Sequence, residues 1–335
     1  MSEPTQPAAD DKVLRAAVIG VGYLGRFHAQ KYQKMENVSL LWVADNALER
    51  ARLVGEELGV AYTTNFEEIL SKVDLVSVAT PTESHGLIAE RCLQAGVAVL
   101  LEKPMTSTLA EADRLLAVAQ QHGAVLQVGQ LKRFHPAVQV LRQSGLLRAP
   151  RLLESSRLAP FKGRSLDLDV VQDLMIHDVD LALTLIDSEV VAVDAVGMPI
   201  VTEQSDVAHA RLQFANGAVA QITASRVAAE SVRRMKIFQT DGFFTLDFAR
   251  NQLTLLRRGA YQGSVPNGGL EGEEMPVTVY DTLEAQIRAF CQAVRHGEKP
   301  VVSGEDGRRS LAVVQQIRQA IAAFSTPAGT EKARA

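Results

Sequence analysis

The chain has 335 residues, of which 47% are hydrophobic and 22% charged, with a formal net charge of −4. This composition is typical of folded globular proteins and excludes collagen-like and wholly disordered chains. The small negative charge excludes a strong attraction to nucleic acid or to an anionic membrane surface, so we expect small-molecule partners. At this length we expect two domains.

The two cysteines, Cys92 and Cys291, are too few for a disulfide framework or a thiolate metal site, which favours a reducing compartment. The start of the chain lacks the basic and apolar stretches of a secretory signal, and no apolar run has membrane-spanning length. We therefore expect a cytoplasmic protein. Residues 1–11 and 326–335 are predicted to be disordered, because they have little apolar surface to bury.

Short β-branched runs alternate with helical patterns between residues 12 and 130. The strands are predicted at VLRAAVIG, VSLLWVAD, LVSVAT, VAVLLEK and AVLQVG, and the helices near residues 23–36, 46–58, 82–95 and 107–122. This alternation predicts right-handed βαβ units and a doubly wound parallel sheet. The first domain is thus predicted to be an α/β Rossmann fold.

The first predicted strand runs into a GxGxxG turn, GVGYLG, in which Tyr23 and Leu24 begin the following helix. In such a turn Gly20 allows the tight bend, Gly22 allows close approach of a pyrophosphate, and Gly25 allows the helix to pack on the strand. Free N–H groups at the helix N-terminus then face the phosphates. The motif predicts a dinucleotide site.

Asp45 ends the second predicted strand, 20 residues beyond Gly25, where an acidic residue accepts hydrogen bonds from the adenine ribose. An aspartate at this place repels a 2′-phosphate, and the next four residues, Asn46 to Glu49, contain no arginine. The sequence therefore predicts NAD rather than NADP. An aspartate that caps a turn is the alternative interpretation.

Two further strand ends are expected at the same crevice, because open α/β sheets bind ligands at the carboxyl ends of their strands. The segment VATPTESH contributes Thr80, Pro81 and His85, and the segment LLEKPM contributes Glu102 and Lys103. A lysine at a strand end can also be a solvated charge. Pro104 favours a defined role, because it biases the preceding lysine toward an extended conformation.

Alternating runs dominate the second half, near residues 190–198, 206–214, 218–226, 232–240 and 243–248. The dipeptides Asn216-Gly217 and Asp241-Gly242 are hairpin signals, so this sheet is predicted to be antiparallel. Helices are predicted near 281–296 and 304–323, and the second is expected to pack back toward the first domain. The second domain is thus an α/β domain over residues 131–325.

A helix predicted near residues 173–186 is apolar except for one group of ionisable side chains. On an α-helix Asp173, His177 and Asp180 share one face. Buried carboxylates are costly unless they are paired, so we expect this face to border a cavity. Asp173 is alternatively a helix cap, and Asp178, on another face, is alternatively a salt-bridge partner.

Three motifs together resemble the glucose-fructose oxidoreductase, inositol dehydrogenase and rhizopine catabolism (Gfo/Idh/MocA) family. They are GVGYLG, EKP at 102–104 and DLMIHDVDL at 173–181. The resemblance covers residues 12 to about 325. It implies an N-terminal Rossmann domain that binds NAD, a C-terminal domain with a large, open, mainly antiparallel sheet, and a homodimer or homotetramer assembled through that sheet.

The resemblance also implies that Lys103, Asp173 and His177 form the reacting group. His177 is then the general base that takes the hydroxyl proton of a secondary alcohol, Asp173 orients it, and Lys103 hydrogen-bonds the reacting oxygen. The roles of Lys103 and His177 can be exchanged. We expect no metal, because the lysine would repel a cation.

For the substrate, we expect contacts from Lys103, Arg133, Arg157, Asp173, His177 and Asp180. Arg157, Lys162 and Arg164, with Lys132-Arg133, are suited to clamp a diphosphate, although they are alternatively solvated loop charges. Asp173 and His177 are not separated by a glycine, which is similar to family members that act on nucleotide sugars.

The resemblance to these members favours oxidation of a UDP-hexose, such as UDP-N-acetylglucosamine, at C3. A free sugar or inositol dehydrogenase is the alternative substrate class. A regulator that senses dinucleotides without catalysis is the alternative of another kind, but it would not need Lys103, Asp173 and His177 together.

Overall fold

The computed structural model describes residues 12–163, 168–258 and 270–325. Its described part forms two compact units. Unit 1 contains residues 12–131 and 281–311, and unit 2 contains residues 132–280 and 312–325. The second domain expected at 131–325 is therefore interrupted, because the stretch 281–311 returns to unit 1. The predicted leader, the predicted tail and Arg164 lie outside the described residues.

Unit 1 contains a six-stranded parallel sheet. Its strands are β1 (Leu14–Ile19), β2 (Val38–Ala44), β3 (Ala61–Thr63), β4 (Leu75–Val78), β5 (Ala98–Glu102) and β6 (Leu126–Gly129), in the order β3-β2-β1-β4-β5-β6. The helices between them are α1 (Tyr23–Gln33), α2 (Leu48–Leu58), α3 (Thr82–Gln94) and α4 (Leu109–His122). The predicted doubly wound fold is confirmed.

The strand order of this sheet reverses between β1 and β4. In open α/β sheets such a reversal leaves a crevice at the carboxyl ends of the two strands, and ligands bind there. Both β4 and β5 are buried along their whole length, as expected for strands covered on both faces. The fold therefore positions the glycine turn and the loop after β4 side by side.

Unit 2 contains an eight-stranded sheet. Its strands are β7 (Leu152–Leu158), β8 (Val190–Met198), β9 (Val207–Phe214), β10 (Val219–Ser225), β11 (Val232–Gln239), β12 (Gly242–Asp247), β13 (Gln252–Arg258) and β14 (Leu270–Met275), in the order β14-β13-β12-β11-β7-β10-β9-β8. Only the β7–β10 pair is parallel. The predicted mainly antiparallel sheet is confirmed, and β13 and β14 extend it beyond the predicted runs.

Two helices of unit 2, α5 (Pro136–Gln143) and α6 (Ile176–Ile186), lie in the same apolar core as the inner side chains of this sheet. Burial alternates along β7, where Leu153, Ser155 and Arg157 are buried and their neighbours are half-buried. One face of the sheet therefore carries the core of unit 2.

The returning stretch supplies α7 (Thr282–His296), whose Ile287 and Phe290 lie in the core of unit 1. The side chain of Gln127 donates a hydrogen bond to the backbone oxygen of Gln286 (3.2 Å). The last helix, α8 (Gly304–Ser325), begins in unit 1 and continues in unit 2. Gly307 packs close to Val128 in unit 1, where an added Cβ would lie 2.5 Å from the valine side chain.

Two buried ion pairs neutralise two carboxylates of α6, those of Asp178 and Asp180. Arg157 binds both oxygens of Asp178, at 2.6 and 2.9 Å, and Arg133 binds both oxygens of Asp180, at 2.8 and 2.7 Å. The four residues are between 0% and 4% exposed. Bidentate pairing of this kind offsets the cost of burying a carboxylate. The alternative interpretation of Asp178 as a salt-bridge partner is confirmed.

The Arg157–Asp178 pair yields a stability prediction. Asp178→Asn removes the charge that neutralises buried Arg157, so we expect the free energy of unfolding to fall by about 3 kcal/mol. Asp187→Asn, an exposed change at the end of the same helix, should alter it by less than about 0.5 kcal/mol. Urea denaturation followed by circular dichroism measures both. Equal stability of the two variants would show that the pair contributes nothing.

Candidate active site

A cavity of about 930 Å³ opens in unit 1 at the carboxyl ends of β1, β2 and β4. It brings together six of the residues predicted to bind the cofactor: Gly20, Gly22, Tyr23, Asp45, Thr80 and Pro81. Leu24, also predicted, does not line it. The size fits a dinucleotide, because small-molecule sites of this kind measure about 300–1,000 Å³.

Gly20, Gly22 and Gly25 stand where the turn has little room for a side chain or needs open space. Gly20 has a φ of +83°, and a Cβ there would lie 2.8 Å from the carbonyl oxygen of Ala79. At Gly25 a Cβ would collide with the carbonyl oxygen of Gly20. At Gly22 a Cβ would meet no protein atom within 4 Å.

The open space at Gly22 lies at the N-terminus of α1. Gly22 is the N-cap residue of this helix and has no side chain to occupy the first N–H groups. A helix N-terminus of this kind attracts an anion through its unpaired N–H groups and the helix dipole. The residues present therefore fit the pyrophosphate of NAD.

Asp45 accepts several hydrogen bonds inside unit 1. One oxygen accepts the N–H of Val21 (3.0 Å), the other accepts the N–H of Ala47 (2.9 Å), and Arg50 lies 3.1 and 3.2 Å from the two oxygens. Asp45 thus ties the glycine turn to the loop after β2. Residues Asn46 to Glu49 contain no arginine, but Arg50, the next residue, places its guanidinium beside Asp45.

His85 does not line the cavity and is only 1% exposed. Its Nε2 lies 2.9 Å from the Thr80 oxygen and its Nδ1 lies 2.9 Å from the Pro104 oxygen. Burial lowers the pKa of His85, against the opposing effect of these two carbonyls. This ring joins the loops that follow β4 and β5, and a direct contact of His85 with the cofactor stays a prediction.

Glu102 is likewise buried, at 8% exposure. Its Oε1 lies 3.2 Å from Nε2 of His28, and the Nδ1 of His28 lies 3.0 Å from the hydroxyl of Ser77. That hydroxyl is 2.9 Å from the hydroxyl of Tyr32. A Cβ at Gly129 would lie 2.6 Å from Oε1 of Glu102, so only glycine fits beside the carboxylate.

This buried chain of polar groups was missed by sequence reasoning. Its one sequence signal is Ser77, a polar residue inside the apolar strand LVSV. Glu102 supports the end of β5 from inside the fold, and its contact with the cofactor stays a prediction. Lys103, the next residue, is half-buried.

In unit 2 the helix that carries Asp173 and His177 begins with a π-helical turn. Residues Val171–Met175 form this turn, and the N–H of Ile176 donates to the oxygen of Val171, five residues earlier. Single π-helical turns are frequent at functional sites. A π-helical turn is wider than an α-helical one. Asp173 therefore does not have the position relative to His177 that a regular α-helix would give it.

Asp169 caps this helix in place of Asp173. One of its oxygens accepts the N–H groups of Val171 (3.0 Å) and Gln172 (2.9 Å). Its other oxygen lies 2.6 Å from Nε of Arg318 in α8. The interpretation of Asp173 as a helix cap is therefore wrong.

Fewer ionisable side chains are exposed on one face of the helix than predicted. Asp173 and His177 are partly exposed, whereas Asp180 is fully buried against Arg133. Arg157 belongs to β7 and is buried against Asp178. Buried pairing occupies the charges of Arg133, Arg157 and Asp180, and their contact with substrate stays a prediction. Lys162 is exposed.

Neither a metal cluster nor a membrane span is found in the described ranges. No three His, Cys, Asp or Glu side chains come together there as possible metal ligands. No helix there is long and apolar enough to cross a membrane.

Arg50 yields a prediction on cofactor choice. Its guanidinium offsets the charge of Asp45, so Arg50→Ala should weaken NADP binding about tenfold while changing NAD binding less than threefold. Arg26→Ala removes an α1 arginine that pairs with Glu57, and is the control. Titration of protein fluorescence with both cofactors gives the dissociation constants. An unchanged ratio in Arg50→Ala would contradict this role.

Comparison with known proteins agrees with this geometry. Residues 14–130 match the family model described as "Oxidoreductase family, NAD-binding Rossmann fold", and residues 154–245 match the GFO/IDH/MocA C-terminal domain. The chain is 46% identical over 312 residues to UDP-N-acetylglucosamine 3-dehydrogenase of Acidithiobacillus ferrooxidans, across 93% of this chain and 98% of that one.

A solved structure of the Acidithiobacillus ferrooxidans enzyme matches with a TM-score of 0.89 at 46% identity, covering 94% of this chain and 99% of that one. The chain is also 28% identical over 325 residues to myo-inositol 2-dehydrogenase of Thermotoga maritima, across 89% of this chain and 93% of the relative. The resemblance seen in the three motifs is confirmed. The chain belongs to the Gfo/Idh/MocA family of NAD-binding oxidoreductases.

Proposed function

We propose that this protein is an NAD-dependent dehydrogenase that oxidises the C3 hydroxyl of UDP-N-acetylglucosamine. The observation that carries the proposal is the 46% identity, over 93% of the chain, with an enzyme of that name. The cavity at the glycine turn supports it, because the turn, the helix N-terminus and Asp45 provide what a bound dinucleotide needs. Asp173 and His177 of unit 2 remain partly exposed.

The reaction removes a hydride and a proton from one carbinol group. NAD, when bound, accepts the hydride at its nicotinamide ring and is thereby reduced to NADH. We assign the hydroxyl proton to His177, with Asp173 orienting the imidazole and stabilising its charged form. Lys103 is assigned to hydrogen-bond the oxygen as it becomes a carbonyl. An exchange of roles between Lys103 and His177 stays open to the test below.

An inositol or free-sugar dehydrogenase is the second candidate, and the 28% identity with a myo-inositol 2-dehydrogenase favours it. A regulator that binds NAD without turnover is the candidate of another class. It would need the glycine turn but would gain nothing from keeping Lys103, Asp173 and His177.

The test is NADH formation with UDP-N-acetylglucosamine, UDP-glucose, N-acetylglucosamine and myo-inositol. We expect turnover with the first substrate and a loss of kcat of about 100-fold or more in His177→Ala, because general-base catalysis contributes about 10²–10⁴-fold. His209→Ala, an exposed change on β9, should keep kcat within twofold.

Each other outcome has a definite meaning. Near-native turnover of His177→Ala with intact NAD binding would exclude this residue as the base. NADH formed from myo-inositol but not from the nucleotide sugar would favour the second candidate. Tight NAD binding without turnover on any substrate would favour the regulator.

We further propose that the protein acts in the cytoplasm as a homodimer or homotetramer assembled through the sheet of unit 2. Both cysteines are free and buried, which suits a reducing compartment.

On β8 the apolar side chains Val191, Val196 and Met198 are exposed. Light scattering should therefore give a mass of two or four chains, and Val191→Lys with Met198→Lys should lower it to one. A single-chain mass for the unaltered protein would reject the assembly.

A further inference from the structure

Four buried polar side chains of unit 1 connect α1 with the residue before Lys103. The hydroxyl of Tyr32 lies 2.9 Å from the hydroxyl of Ser77, which lies 3.0 Å from Nδ1 of His28. Nε2 of His28 lies 3.2 Å from Oε1 of Glu102. Tyr32, Ser77 and His28 are 0% exposed, and Glu102 is 8% exposed. We call these four residues the His28 network.

The donors and acceptors of the His28 network can be satisfied in one direction. An ionised carboxylate only accepts hydrogen bonds, so the hydrogen between His28 and Glu102 belongs to Nε2 of the ring. Apart from this carboxylate, Nε2 has no partner among the described residues. A neutral imidazole then accepts at Nδ1, where the Ser77 hydroxyl donates, and the Ser77 oxygen is left to accept from Tyr32. The network thus favours the tautomer of His28 that donates to Glu102.

Glu102 connects this network to the backbone of Lys103. Strand β5 ends at Glu102, and the N–H of Lys103 donates to Oε2 of the Glu102 side chain (3.3 Å). The carboxylate has little room on the side of β6, because a Cβ at Gly129 would lie 2.6 Å from Oε1 and 3.0 Å from Oε2. One residue after Lys103, the Pro104 oxygen lies 2.9 Å from Nδ1 of His85. The backbone that carries the lysine side chain is therefore held on both sides.

We propose that His28 is a positioning residue for Lys103 and acts through Glu102. This inference rests on the proposed function, because it takes Lys103 to contact the oxygen that becomes a carbonyl. Without the donor from His28, Oε1 of Glu102 is a buried acceptor that has lost its partner, and the carboxylate turns toward another donor. The N–H of Lys103 then loses its acceptor, and the lysine side chain leaves the place at which it meets the reacting oxygen.

The expected effect on turnover is large for a group so deeply buried. A displacement of about 1 Å in a group that contacts the reacting atoms lowers a rate by up to about 10²-fold. Because Tyr32, at the far end of the network, is 0% exposed, the network offers no path for a proton to solvent at that end. Its role is therefore to orient groups rather than to transfer protons.

Two amide substitutions of His28 separate the two contacts of its ring. In His28→Gln the amide group reaches the place of Nε2 and still donates to Glu102, whereas in His28→Asn it reaches only the place of Nδ1 and keeps the contact with Ser77. We expect kcat for UDP-N-acetylglucosamine to fall about 10- to 100-fold in His28→Asn and less than about fivefold in His28→Gln. The dissociation constant of NAD should change less than about threefold in both, because neither variant alters the glycine turn or Asp45.

A double substitution tests whether the effect passes through Lys103. In Lys103→Met the contact with the reacting oxygen is already lost, so the addition of His28→Asn should change the remaining kcat less than about twofold. A purely structural role of His28 would lower kcat by the same factor in both backgrounds. Ser77→Ala removes one hydroxyl and keeps the apolar packing. It should lower kcat by about threefold or more, and it replaces His28→Asn if that variant does not fold.

Chemical labelling of Lys103 gives a readout that needs no turnover. Brief acetylation of the full-length, NAD-loaded protein, followed by mass spectrometry, compares Lys103 with Lys299, an exposed lysine of unit 1. The reactivity of an amine depends on its surroundings. Release of the Lys103 side chain in His28→Asn should therefore change its labelling relative to Lys299 by about threefold or more, whereas His28→Gln should change it less than about 1.5-fold.

The outcomes separate this inference from the proposed function. Equal kcat and equal labelling in His28→Asn and His28→Gln would overturn the positioning role. If no UDP-N-acetylglucosamine is oxidised but the labelling of Lys103 differs between these variants as expected, the positioning role stands and the proposed activity falls. If His28→Asn lowers kcat by the same factor with and without Lys103→Met, the activity stands and the route through Lys103 falls.

Discussion

The central constraint in unit 2 is that α6 must bury two carboxylates inside an apolar core. Asp178 and Asp180 are nearly inaccessible, and each is neutralised by a bidentate arginine from another part of the unit. Arg157 ties the helix to β7, and Arg133 ties it to the segment before α5. Because a buried charge without a partner is costly, these pairs fix the N-terminal half of α6. Asp173 and His177, which precede Asp178 by five residues and by one, are held on a rigid element as a result.

A comparable arrangement supports the strand end in unit 1. Glu102 is enclosed by His28 and by the close approach of Gly129, and Lys103 follows it directly. His85 joins the loops after β4 and β5 through two carbonyl oxygens. Polar groups inside a sheet of apolar strands are held firmly only when each finds a partner. The residues assigned to chemistry in both units are therefore flanked by buried polar groups that do not react.

Much of the fold follows from local pattern. Parallel strands buried on both faces appear as continuous apolar runs, so β1, β4 and β5 were predictable, whereas β3 has only three residues and β13 has polar residues at both of its ends. The glycine turn was predictable because its geometry depends on residue type. The buried ion pairs of Arg133 and Arg157 were not predictable, because the partner aspartates lie 47 and 21 residues away along the chain. A π-helical turn uses the same residues as an α-helical one, so its position at 171–175 leaves no sequence signal.

The return of residues 281–311 to unit 1 has a consequence for the order of folding. Phe290 and Ile287 of α7 fill the core beside β1 and α1, so the Rossmann unit lacks part of its interior until most of the chain has been synthesised. Contacts between such distant segments also slow folding, since a long loop must close before they form. A ribosome-bound chain that already displays the whole six-stranded sheet would still expose apolar surface there. We therefore expect unit 1 to begin folding early and to complete its core only after α7 has been synthesised.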